Sequence, residues 1–332
     1  MRLGWGGEYR MTGSIAAVIP VHNREQLIGR ALESVFGQRH PPDEIIVVDD
    51  GSTDRTADVA RAYGSRIRVI EAAHGGAGAA RNLGVEAATS DFVAFLDSDD
   101  FWEPEHLARM SEAIRATDGR AVMYFSDCRL DDWHGGGTIW SLANFDPAEP
   151  FEFRDSEKDW LFAPLQPLLI QSAAVRRNAY LAVGGSDPAL PRRGDTHLIF
   201  KLGLSGPLCA VPGIASTWTA DAQNSLTRQL VSEHPTYLRC TVHLYADLLE
   251  RFTLTPEQRK ILSLRAADAH YALARQTWRS HPLEMLAHLS KAVRTNPHGL
   301  WERARRRLSG PPAPSGPGST RGEHTGVTTP TQ

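Results

Sequence analysis

Apolar residues in the first half of the chain switch between two periods. Ile15–Val21 is a short apolar run that predicts a strand, and Glu25–Phe36 follows with Leu27, Ile28, Ala31, Leu32 and Val35 at helical spacing. Glu44–Val48 and Ile67–Ile70 read as further strands. Thr53–Tyr63 and Ala77–Ala88 read as helices, the first with Ser52 or Thr53 as its cap. Phe92–Leu96, Pro104–Ala116 and Ala121–Ser126 extend the series to a fifth strand. Strands separated by single helices predict βαβ units and a mostly parallel sheet.

From Asp131 to Phe162 the pattern breaks into a Gly- and Trp-rich stretch, which predicts a functional loop or disorder. Order resumes at Pro167–Ala174, with helices near Val175–Val183 and Thr196–Leu204 and short strands at Leu208–Val211 and Ile214–Trp218. His234–Phe252, Pro256–Arg279 and Leu283–Thr295 read as consecutive helices, and the Pro-, Gly-, Ser- and Thr-rich Ser309–Gln332 as a disordered tail. The expected organisation is a flexible leader at 1–13, an α/β domain at 14–228, a helical extension at 229–308 and a tail at 309–332.

Charge and cysteine content narrow the class. Of 332 residues, 36 are Lys or Arg and 39 Asp or Glu, so a net charge of −3 gives no reason to expect a nucleic-acid partner. Cys128, Cys209 and Cys240 lie far apart, with no metal-ligand ladder, which predicts a reducing, cytoplasmic setting. No stretch approaches the roughly 20 apolar residues of a membrane span.

In an open parallel sheet, ligands bind beyond the carboxyl ends of the strands. Pro20–Arg24 follows the first strand, Asp49–Asp54 the second and Asp97–Asp100 the fourth. Three carboxylates within Asp97-Ser98-Asp99-Asp100 repel one another, and hard oxygen ligands at that density suit Mg²⁺ or Mn²⁺ bridging to a phosphate. Gly76-Ala77-Gly78 imitates a dinucleotide fingerprint, but Arg81 stands where its third small residue belongs. A helix N-terminus with free N–H groups, and Arg81 as a cation for nucleotide or phosphate, is the better reading.

Four stretches taken together resemble the family 2 glycosyltransferases. They are Val18–Arg24, Ile46–Asp54, Gly78-Ala79-Ala80-Arg81-Asn82-Leu83-Gly84 and Phe95-Leu96-Asp97-Ser98-Asp99-Asp100. The resemblance is close over 14–130, weaker over 164–225 and absent beyond. It implies the GT-A fold, a Rossmann-like, mostly parallel central sheet flanked by helices, here with a helical C-terminal extension. It also implies a nucleotide-sugar donor (UDP-, GDP- or dTDP-linked), held by Pro20, Val21, Asn23, Asp50, Arg81 and Asp97. Asp97 and Asp99 would be the DxD pair that binds Mg²⁺ or Mn²⁺, with Asp99 the direct ligand.

Val183-Gly184-Gly185-Ser186-Asp187 matches the turn that precedes the family's catalytic aspartate, and Asp195 matches that aspartate, the general base of an inverting transfer. The alternative for Asp195 is a helix cap. Gly194 replaces the usual Glu and Ser186 the common Phe. No Gln-x-x-Arg-Trp motif is present, which predicts non-processive transfer to a saccharide, lipid-linked or small-molecule acceptor. The competing classes are a nucleotidyltransferase, an NAD(P)-dependent oxidoreductase and a non-catalytic nucleotide-sugar-binding protein. Trp133, Trp140 and Trp160 could stack on sugar or fill a core. His22, His74, His134 and His197 have no metal-ligand spacing. Basic Lys291–Arg307 is either a solvated helix end or a peripheral contact with the inner face of a membrane.

Overall fold

The structure, a computed structural model, describes residues 13–131, 136–147, 152–154, 158–219 and 234–297. The leader, Trp133, His134, the segment Asn224–Thr227 and the tail lie outside the described residues.

The expected βαβ series is present: β1 (Ile15–Val21), α1 (Ile28–Phe36), β2 (Glu44–Asp50), α2 (Thr56–Arg61), β3 (Arg68–Ala72), α3 (Ala77–Ala87) and β4 (Phe92–Phe95). Then come β5 (Phe101–Trp102), α4 (His106–Ala116), β6 (Met123–Leu130), α5 (Ile139–Ala143), β7 (Glu152–Arg154), β8 (Ala173–Arg176), α6 (Arg177–Ala182), α7 (Gly194–Ser205) and β9 (Leu208–Trp218). Three helices close the described chain: α8 (Pro235–Arg251), α9 (Pro256–Thr277) and α10 (Pro282–Thr295).

The nine strands form one sheet in the order β3-β2-β1-β4-β8-β6-β9-β5, with β7 on β9. Period-two alternation divides each central strand between two cores. On β1, Ala16 and Val18 face one core, while Ile15, Ala17, Ile19 and Val21 face the other. Strands buried on both faces need such continuous apolar runs. Parallel register aligns Val21 with Asp49 and Val18 with Phe95, so the loops after β1, β2 and β4 meet at one edge. Gly84 seats α3 on that sheet, because a Cβ there would lie 2.4 Å from Val18 Cγ1.

The structure differs from the sequence expectations in four places. α2 begins at Thr56 instead of Thr53, since Ser52 Oγ accepts from Asn23 N and Asp54 Oδ1 from Thr56 N. Val175 is a strand residue, paired with Val93 and Met123 in antiparallel register, so the sheet is mixed. Leu208–Trp218 is one strand, irregular in register where it passes β6 and with Gly213 at φ 115°. Asp131–Phe162 contains α5 and the edge strand β7. Trp140 and Trp160 belong to the core there, at 6.2 and 5.3 Å from the Phe125 ring.

The helical extension is anchored in the main core: Cys240, Leu244, Tyr245 and Leu248 of α8 and Leu262 of α9 share it with the sheet. Burying each leucine contributes about 1.5–3 kcal/mol. All three cysteines are buried free thiols, and among the described residues no helix is long and apolar enough to cross a membrane.

Candidate active site

The sheet edge beyond β1 and β2 is stitched together by short polar side chains. Asn23, in the left-handed region at φ 51°, accepts through Oδ1 from Thr53 N at 2.8 Å. Asp50 is buried, and its two carboxylate oxygens accept from Gly75 N at 2.7 Å and Gly76 N at 2.8 Å. Asp50 thus takes the Gly75 and Gly76 N–H groups that lie just before α3. A pyrophosphate seeking that turn would meet a carboxylate, which counts against the dinucleotide reading. Pro20 and Val21 form the end of β1 beside these loops.

His22 and His74 converge on Asp50 although their sequence spacing gave no sign of it. β2 lies between β1 and β3, so the residues after the outer strands approach across its end. The rings lie 4.3 Å apart, His74 Nδ1 is 2.9 Å from Asp50 Oδ2, and His22 Nδ1 is 2.8 Å from Asp50 O. Their ligand atoms lie within 4.8 Å of one another, the one group of three among the described residues that could grip a cation.

Past β4, the acidic loop divides its labour. Asp100 is buried and structural: Oδ1 accepts from Thr219 N and Oδ2 from Gln171 Nε2. Burial, then the charges of Asp97 and Asp99, pushes its carboxyl well above the usual range. Asp99 is pushed up by burial and by Asp97, and Arg24 Nη2, at 4.0 Å, offsets this in part. Its backbone oxygen accepts from Arg30 Nη2 and Thr219 Oγ1. Asp99 is a carboxylate whose charge is incompletely compensated. Mg²⁺ and Mn²⁺ are commonly held by one or two carboxylates with water and substrate phosphates completing the shell, so the Asp97–Asp99 pair fits such an ion.

Arg81 joins this strand-end edge to α7. Its guanidinium, 7% exposed, donates through Nη2 to Asp97 Oδ1 at 2.7 Å and through Nη1 to Asp195 Oδ1 at 2.6 Å. Despite burial, the two carboxylates raise its pKa further. Asp195 lies in the first turn of α7 but does not cap it. The N-cap is Arg193, without a side-chain cap bond. Burial in the cleft and the charge of Asp97 raise the Asp195 carboxyl against the pull of Arg81. The side chain still exposes 42% of its surface, so the environment is a cleft wall open to solvent.

Sequence reasoning missed the residues that brace the Gly184–Asp187 turn and the start of α7. Asn82 clamps the Gly184–Asp187 turn: Nδ2 donates to Ser186 O at 2.9 Å, and Oδ1 accepts from Ser186 N at 2.8 Å and Tyr180 Oη at 2.7 Å. Gly185, at φ 58°, lets Asn82 approach, since a Cβ would lie 2.5 Å from its Oδ1. Lys201, buried, donates to Gly185 O, and burial lowers its pKa to about 8. From α8, His243 meets Asp187 at 2.8 Å and Asp247 meets His197 at 2.9 Å. Arg193, left-handed at φ 62°, donates to Thr241 Oγ1 and lies over the rings of Tyr237 and Tyr245. Asn82 was within reach of sequence reading, because it sits beside Arg81 in the same stretch. The α8 residues carried no local signal.

Comparison with known proteins agrees with this geometry. The family model "Glycosyl transferase family 2" matches residues 16–180. An uncharacterised glycosyltransferase of Nostoc is 40% identical over 117 residues, 34% of this chain and 36% of that protein. Succinoglycan biosynthesis protein ExoW of Rhizobium meliloti is 41% identical over 133 residues, 38% of this chain and 40% of that one. The chain thus matches less than half the length of these relatives. In fold, it is similar to S. aureus TarS 1–349 in complex with UDP-GlcNAc (TM-score 0.64, 19% identity, 85% of this chain and 81% of that chain). It is also similar to the mannosyltransferase PcManGT of Pyrobaculum calidifontis in complex with GDP-Man and Mn²⁺ (TM-score 0.55, 18% identity, 87% and 82%). The strand-end loops, the family match over 16–180 and the shared GT-A architecture together make this chain a member of glycosyl transferase family 2.

Proposed function

We propose that the protein moves a sugar from a nucleoside diphosphate donor to an acceptor hydroxyl by a single, non-processive, inverting displacement. The observation that carries this reading is the Arg81 bridge. One guanidinium holds Asp97, on the donor edge, and Asp195, on the acceptor side, at 2.7 and 2.6 Å. An in-line displacement needs a group that holds the donor and a base for the acceptor within reach of one another, and the bridge brings two carboxylates that suit these roles together. That fold relatives were solved with UDP-GlcNAc, and with GDP-Man and Mn²⁺, supports a nucleotide-sugar donor of the same class.

In this reading Pro20, Val21, Asn23 and Asp50 line the nucleoside pocket, and Arg81 with Asp97 holds the sugar-phosphate end. Asp99 and Asp97 would hold Mg²⁺ or Mn²⁺, which when bound offsets the negative charge growing on the departing diphosphate. Asp195 takes the acceptor proton. Arg81 holds its Oδ1, which leaves Oδ2 for that transfer, and a carboxyl raised by its surroundings is the stronger base. A base in this position typically contributes 10²–10⁴-fold to the rate.

The test is turnover with a panel of UDP-, GDP- and dTDP-sugars and hydroxyl acceptors, read by nucleoside diphosphate release and by the anomeric proton coupling of the product. Metal-dependent release with an inverted product is expected. Retained configuration, or donor binding without turnover across the panel, would overturn the reading.

A further inference from the structure

The last described helix, α10, rests on α9 yet leaves large apolar side chains in solvent. On α10 only Ala292 is buried, while Leu283, Leu286 and Val293 are 82%, 55% and 46% exposed. Their spacing of three and seven residues places them in one stripe along the outward face. Trp278, at the end of α9, adds a fourth large apolar side chain at 56% exposure, with the Arg279 guanidinium over its ring at 4.6 Å. The one acid of α10, Glu284, is engaged by Arg239 of α8 at 3.0 Å and faces His288. It lies off the outward stripe.

Charge says what covers this face. Residues 275–308 carry eight Lys and Arg against two acids, a net +6. The whole chain is −3, which leaves −9 on the remainder. Of the eight cations, Arg275, Arg279, Lys291 and Arg294 lie among the described residues with Glu284 as the one acid, so the corner that exposes Trp278, Leu283, Leu286 and Val293 is cationic. A second copy seated here would bring like charges together. An anionic lipid surface accepts both features: apolar side chains enter the headgroup boundary, Trp favours that depth, and Lys291 and Arg294 meet the headgroups.

We propose that the α9–α10 corner is a docking surface for an anionic membrane, built from Trp278, Leu283, Leu286 and Val293 with Arg279, Lys291 and Arg294 around them. This goes beyond the glycosyl-transfer reading and stands whether or not that reading holds.

The experiment is flotation of the full chain with vesicles of phosphatidylcholine alone or with about a third phosphatidylglycerol. Binding should be confined to the anionic vesicles and be lost when salt rises from about 0.1 M to about 1 M. Leu283→Glu with Leu286→Glu should weaken binding at least about tenfold, and Lys291→Glu with Arg294→Glu should do the same. The altered side chains are exposed, so melting temperature and nucleoside diphosphate binding should stay as in the parent. Absence of binding to anionic vesicles at low salt would overturn the proposal. So would undiminished binding by the leucine variant, which would assign the contact to residues 298–308. A dimer by light scattering that the leucine variant dissolves would instead make a second copy the occupant, and would equally overturn it.

Discussion

The proposed donor edge and the proposed acceptor turn are two sides of one cleft, held by opposite means. On the donor edge, loops after neighbouring parallel strands grip one another through short side chains bonded to backbone N–H groups, as Asn23 does with Thr53 and Asp50 with Gly75 and Gly76. Each contact joins strands already adjacent in the sheet. The Gly184–Asp187 turn is held by side chains from remote segments: Asn82 of α3 and His243 of α8. Remove the sheet register and the donor edge is lost. Remove a few distant side chains and only the acceptor turn moves.

The largest expected effect lies where the two sides meet. Asp195→Asn keeps an oxygen for Arg81 but removes the base, so kcat should fall 10²–10⁴-fold with the donor KM unchanged. Steady-state kinetics with the donor varied checks this, and near-parental turnover would remove Asp195 from the reaction. Asn82→Ala strips three hydrogen bonds from the acceptor turn and should cost roughly 3 kcal/mol in a urea titration. A loss well under 1 kcal/mol would mean the turn holds itself.

At the start of α4 a buried histidine stands without hydrogen-bond partners. His106 is fully buried against Trp102, neither ring nitrogen has a hydrogen-bond partner, and burial pushes its pKa down to about 3, with Arg109 adding to the effect. The unfolded chain takes up this proton near pH 6.5, and the folded chain does so only near 3. Stability from this residue is therefore present above about pH 6.5 and is lost as pH falls toward 3, by roughly 2 kcal/mol at pH 5. His106→Leu should flatten that acid limb in melts from pH 7 to 5, and an unchanged slope would exclude it as the source.

The smallest expected effect tests the reach of the extension. Arg193 immediately precedes the first turn of α7, which carries Asp195, and is fixed by Thr241, Tyr237 and Tyr245. Arg193→Ala should lower kcat about tenfold while leaving nucleoside diphosphate binding unchanged, with partial rescue by Arg193→Lys. A parallel loss of nucleotide affinity would contradict the division between the two sides.

This division also explains what could be read from the sequence. Strands β1 to β4 and their loops were legible because a strand end and its motif are contiguous, and parallel register fixes where they meet. That logic brings Asp50, Asp97 and Asp99 to one sheet edge, whereas α2 begins three residues late because Ser52 and Asp54 serve the loops. Asp195 was singled out only through resemblance, since nothing local separates a base from a helix cap. The Arg81–Asp195 arm of the bridge, the Asn82–Ser186 clamp and the Arg193–Thr241 and His243–Asp187 contacts join residues 48 to 114 positions apart and leave no periodic trace. His22 and His74 were missed for the same reason: their convergence depends on strand order.

The most direct test of the account is thermal-shift binding of UDP, GDP and dTDP, with and without Mn²⁺, to the parent and to Asp99→Ala. Ligand that binds the folded state raises the melting temperature as its concentration exceeds Kd. The account predicts a shift with one nucleoside diphosphate that requires Mn²⁺ in the parent and is abolished in Asp99→Ala. A shift of equal size without the metal, or one that survives in Asp99→Ala, would contradict it.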